Sequence, residues 1–147
     1  MRRLAFIMIA LFAILSCGNE ENPIPNLRVY LNLDLTFEDR ELKAIPSFKE
    51  YTVRDANTAL GEAVGFGGVL VVHTMTDEYR AFDRACPFEA NSAISVAVDD
   101  VVLYAVCPRC GTKYDIGFGT GAPSGASKHF LKQYNVIYSS NKLKVSN

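Results

Sequence analysis

Twice in this chain a strand-like run stops at Cys-Pro: YRAFDRACPFEA (Tyr79–Ala90) and VVLYAVCPRCGT (Val101–Thr112). Proline has no N–H to give to a ladder, so it ends strand pairing where it stands. Cys86 and Cys107 are thereby placed at strand ends, on loop tips. Two such tips are the geometry by which a pair of loops clasps one object between them. Cys110 follows Cys107 in a Cys-x-x-Cys, so three thiols are expected close together. A chain with this pattern must build a scaffold that brings two separate strand ends to one place.

The rest of the sequence supplies strands for such a scaffold. LRVYLNLDL alternates at period two, with Val29, Leu31, Leu33 and Leu35 on one face and Tyr30, Asn32 and Asp34 on the other. GGVLVVHT (Gly67–Thr74) is a β-branched apolar run suited to a central strand. EYRAFDRA (Glu78–Ala85) follows it after the turn TMTD, which predicts a hairpin. VVLYAV (Val101–Val106) reads as another buried strand. YNVIYSSNKLKVS reads as two strands around Ser-Ser-Asn. The one helical candidate is DANTALGEAVG, with Asp55 or Asn57 as cap. GFGGVL (Gly65–Leu70) precedes a strand rather than a helix, which fits close backbone packing and not a phosphate loop. The expectation is an all-β fold.

The N-terminus sets the compartment. Met1-Arg2-Arg3 is followed by an apolar run from Leu4 to Leu15, the pattern of a secretory signal. The run is shorter than the roughly 20 residues a membrane-spanning helix needs. Its end, ILSC (Ile14–Cys17), resembles the lipobox of bacterial lipoproteins, which implies cleavage before Cys17 and lipidation of that residue. Each buried methylene adds about 0.8 kcal/mol of membrane affinity, and more than one chain makes the anchor stable. The expected location is therefore the bacterial envelope, at the outer membrane. GNEENPIPN reads as a tether. The expected divisions are a signal peptide at 1–16, a lipidated cysteine and tether at 17–27, and a single domain at 28–147. Loss of Arg2 and Arg3 leaves 13 basic residues of the original 15 against 16 acidic ones, a net charge of −3. With no basic cluster, nothing points to nucleic acid.

From Val53 to Val145 the chain resembles the Rieske iron–sulfur domain family. YRAFDRACPFE is similar to the family's first cluster loop, which reads Cys-x-His. AVCPRCGTKYDIGFGTGAP is similar to its second, Cys-x-x-His, with Gly111, Tyr114-Asp115 and Gly121 in place. HFLKQYNVIYSSNKLKV is similar to its closing strands. The resemblance implies an antiparallel β-sandwich whose two loop tips form a small cluster-binding subdomain. It also implies a [2Fe-2S] cofactor held by two cysteines on one iron and two histidines on the other, and electron transfer as the function. Cys86 and Cys107 occupy the family's cysteine positions, but Phe88 and Cys110 stand where its histidines would be. Phenylalanine has no lone pair for iron, and a thiolate in place of imidazole adds a negative charge.

Three readings of Cys86, Cys107 and Cys110 follow. They are a disulfide or free thiols without metal, an altered iron–sulfur site, or zinc or another metal. The ligand count favours the first. A fourth ligand would have to come from His129, in the segment that the family folds over its cluster, or from Glu89 or Asp115, for which surface exposure or strand-end capping is the simpler role. His73 reads as a partly exposed strand residue. No G-x-S-x-G or H-E-x-x-H occurs, and the Cys-x-x-Cys lacks a following helix to activate it. The expectation is a protein that is not an enzyme: a Rieske-like envelope module, or a binding module stabilised by a disulfide.

Overall fold

In the computed structural model, residues 21–99, 101 and 103–147 are described; the segment expected to be a signal peptide, and Cys17, lie outside them. β1 (Val29–Asp34) keeps its alternation, with Val29, Leu31 and Leu33 buried. β2 (Ser47–Tyr51), β3 (Ala63–Val64), β4 (Val69–His73) and β5 (Tyr79–Asp83) follow. After the first cysteine loop come β6 (Ala97–Asp99) and β7 (Tyr104–Val106), then β8 (Lys113–Asp115) and β9 (Pro123–Ser124). β10 (Gln133–Ser139) and β11 (Lys142–Ser146) close the chain. The class is all-β, and the strand pairings among the described residues are antiparallel.

Seven strands form one sheet in the order β2-β4-β5-β10-β11-β1-β3, and four form a second, β6-β7-β8-β9. The large sheet folds over on itself. Val29, Leu31 and Leu33 of β1 and Leu143 and Val145 of β11 share a core with Tyr51, Val69 and Val71 of β2 and β4. The opposite face of β4 and β5, with Leu70, Val72 and Phe82, packs against Ala105, Tyr114 and Ile116 of the small-sheet region. β4 therefore has both faces covered, which is why its sequence is apolar without a break.

The β10–β11 hairpin turns through Ser140 and Asn141, both at positive φ (51° and 61°), the handedness that matches strand twist. The expected helix shrinks to a single 3₁₀ turn, Thr58–Leu60. Asn57 caps it, and Gly61 at φ 76° ends it in the left-handed conformation. The strand expected over Val101–Val106 is confined to Tyr104–Val106. Leu103 sits at φ 51°, which breaks an extended run, and Val101 is exposed. A second 3₁₀ turn (Arg40–Lys43) was not anticipated; it buries Leu42.

The segment read as a tether is docked at its described end. Ile24 is buried, the Asn22 amide donates to the Phe130 carbonyl, and Lys132 Nζ donates to the Ile24 carbonyl. Packing thus begins before the boundary expected at residue 28.

Candidate metal centre

The first cysteine loop is set by a buried carboxylate. Asp83, the last residue of β5, accepts from the N–H groups of Gly67 (3.1 Å) and Ala85 (2.7 Å) and from the Tyr134 hydroxyl (2.6 Å). Gly67 must be glycine for this approach, because a Cβ there would stand 2.4 Å from the Ala85 nitrogen. Beyond this anchor the chain turns: the Cys86 N–H donates to Ile94, and the Ala90 N–H returns to the Cys86 carbonyl.

The second loop closes on itself. The Cys107 N–H donates to the Thr112 carbonyl (2.9 Å) and the Gly111 N–H to the Cys107 carbonyl (3.0 Å), with Gly111 at φ 70°. A strand, β8, follows this knuckle, so no helix dipole acts on the Cys-x-x-Cys.

The loops bring Cys86, Cys107 and Cys110 together. Their sulfurs all lie within 4.8 Å of one another, and Cys86 Sγ is 3.7 Å from Cys110 Sγ. All three are free thiols. Cys86 and Cys107 are buried, and Cys110 is half-buried. The Tyr114 hydroxyl is 3.3 Å from Cys86 Sγ, and the Thr112 hydroxyl is 3.2 Å from Cys110 Sγ.

Burial pushes the Cys107 thiol up to about 11. At Cys110 burial also pulls upward, but the Thr112 hydroxyl and N–H and the neighbouring thiols outweigh it and hold the thiol below its ordinary value. Tyr114 is pushed well up by burial and then by its bond to Cys86, so it stays a phenol that can donate to a Cys86 thiolate.

No family model, curated protein or solved structure matches this chain. The chemistry of the site rests on its donor set. Among the described residues, these sulfurs are a group that could hold a metal ion. Thiolates select soft or borderline ions such as zinc and copper(I), or iron–sulfur clusters. Metal uptake must displace protons from thiols such as Cys107, so it tightens as pH rises.

The other expected positions fall outside this group. Phe88 is 53% exposed and lines a cavity of about 320 Å³ with Pro23, Pro87, Ala126 and His129, among others. Asp115 caps a turn, accepting from the Phe118 N–H and the Thr120 hydroxyl. Glu89 pairs with Arg109 at 3.3 Å. His129 joins Ser127 through its main chain.

The expected exposure of His73 is corrected. It is only 4% exposed, with Nδ1 2.8 Å from the Leu42 carbonyl, Nε2 2.9 Å from Asp77, and its ring stacked on Tyr79. The turn at Arg40–Lys43 covers it through the Leu42 carbonyl, and no motif in the sequence marks that turn. Tyr114 and Thr112 also stand around the sulfurs; the sequence marked Tyr114 only as part of the second loop's resemblance and gave it no role at the sulfurs, and only nearness to the Cys-x-x-Cys could have marked Thr112.

Proposed function

We propose that this chain is a membrane-tethered envelope lipoprotein whose Rieske-like domain holds a single thiophilic ion, zinc, at Cys86, Cys107 and Cys110, and that it is not an enzyme. The observation that carries this reading is the convergence of three sulfurs within 4.8 Å. A tetrahedral zinc with Zn–S near 2.3 Å separates its sulfurs by about 3.8 Å. The Cys86–Cys110 spacing of 3.7 Å is close to that value. A two-iron cluster needs four ligands in two pairs, one pair at each end. Phe88 offers no donor atom, and Cys110 lies against Cys86 instead of at the far end of such a cluster.

The protein's own residues then have plain tasks. Cys86 arrives from the first loop, and Cys107 and Cys110 from the second, so one ion ties two loops that are distant in sequence. Tyr114 and Thr112 place hydroxyls against two of the sulfurs. The fourth coordination position is left to solvent or to a partner's group. A zinc ion held this way stabilises a binding surface and carries no electrons.

The resemblance of both loops to the Rieske family favours a second reading, an electron-transfer module with an altered iron–sulfur cluster. Metal content separates the two. The mature chain purified without oxygen should be colourless, with one zinc per chain. Brown protein with two irons and two acid-labile sulfides per chain would overturn the zinc reading in favour of the cluster. The anchor is tested separately by fractionation. The native chain should sediment with membranes and the Cys17→Ser variant should not; if both sediment alike, Cys17 is not the attachment point.

A further inference from the structure

We propose that Cys86 and Cys110 form a reversible disulfide that excludes the metal, so that an exchanging disulfide discharges the ion from this site. The discharge rests on the metal reading above; the choice of pair does not. From the sequence, Cys107–Cys110 is a candidate pair, and so is Cys86 with either of them. The geometry points across the loops. The knuckle of the second loop directs Cys110 onto Cys86, where the sulfurs stand in contact at 3.7 Å.

Access differs among the three thiols as well. Cys86 is 0% and Cys107 1% exposed, and Cys110 is the one that reaches the surface. A disulfide spans about 2.05 Å, so the sulfurs must close by under 2 Å. Cys110 has the means to move, because its neighbours Pro108, Arg109 and Gly111 are exposed and a Cβ built on Gly111 would touch nothing within 4 Å.

The chemistry is a two-step exchange with an external disulfide, RSSR. The Cys110 thiolate attacks one sulfur of RSSR, forming a Cys110–SR mixed disulfide and releasing RS⁻. The Cys86 thiolate then attacks Cys110 Sγ, forms the Cys86–Cys110 bond and releases the second RS⁻. The two cysteines are oxidised by two electrons and RSSR is reduced to two thiols, which take up the protons that Cys86 and Cys110 have lost. Two of the three metal ligands are thereby consumed. Cys107 alone cannot retain the ion, and a thiol reductant restores the site.

The test uses the reduced, zinc-loaded mature chain, treated with oxidised glutathione in the presence of a chromophoric zinc chelator. One zinc should be released per chain as two thiols disappear. Peptide mapping should find Cys86 linked to Cys110 and Cys107 free to alkylate. The Cys107→Ser variant should form the same link. A Cys107–Cys110 or Cys86–Cys107 link, or zinc retained after the Cys86–Cys110 bond has formed, overturns the proposal. So does a chain whose three thiols all survive oxidant concentrations that oxidise it once it is unfolded. A chain that never binds zinc but still maps as Cys86–Cys110 supports the pairing and removes only the metal reading.

Discussion

Zinc at a free concentration a thousand times its dissociation constant should stabilise the reduced chain by about 4 kcal/mol. For a domain of this size that is a rise of roughly 12–16 °C in midpoint temperature. The gain is large because the ion joins loops that sit 21 residues apart, from Cys86 to Cys107, and the unfolded chain offers no such assembled site. Cys86→Ser and Cys107→Ser should each abolish nearly all of it, since each removes one of three buried-site ligands. Cys110→Ser should lose less, because its sulfur is half-buried and water can take its place. The stabilisation should increase from pH 7 to pH 9. Burial holds Cys107 protonated up to about 11, so metal binding must release its proton, and that release becomes more favourable as the free proton concentration falls. Denaturation in zinc and in chelator measures all of this, and equal stability in the two would refute it.

Asp83→Ala should destabilise the chain by about 3–5 kcal/mol, with or without metal. The carboxylate is fully buried and accepts from main-chain N–H groups and from the Tyr134 hydroxyl. Alanine leaves those donors buried and unsatisfied, at about 1–3 kcal/mol each before relaxation. Tyr134→Phe, which removes a single bond to the same carboxylate, should cost about 1 kcal/mol. Because the same network fixes Gly67 against Ala85 at the entry to the first loop, Asp83→Ala should also weaken zinc binding. Urea unfolding followed by zinc titration checks both effects. A loss below 1 kcal/mol would mean that the network does not hold the loop.

What the sequence revealed follows from where each strand lies. β1 has one buried face, so its alternation was visible, and β4 has two, so its run was unbroken. The Ser140–Asn141 turn showed itself through residue types that tolerate positive φ. β2 was not visible, because Ser47–Glu50 are all half-buried and leave no period to read. His73 was misjudged because the turn that covers it comes from about 30 residues earlier and carries no motif. At the site, the two Cys-Pro strand ends were enough to predict that the cysteines converge. Which sulfurs touch was not predictable. That depends on the main-chain bonds closing Cys107–Thr112, and nothing in the spacing of Cys-x-x-Cys encodes a contact with Cys86.

The docking of Asn22–Ile24 beside the cysteine loops has a consequence for orientation. Pro23 shares a cavity wall with Pro87 and Phe88, and it stands six positions after Cys17. Six residues reach at most about 20 Å. With lipid on Cys17, that short mooring line fastens to the sulfur-bearing tip and not to the far end of the barrel-like body. On that proposal the tip would ride close to the headgroups, and a partner of the proposed metal site would meet it near the bilayer surface.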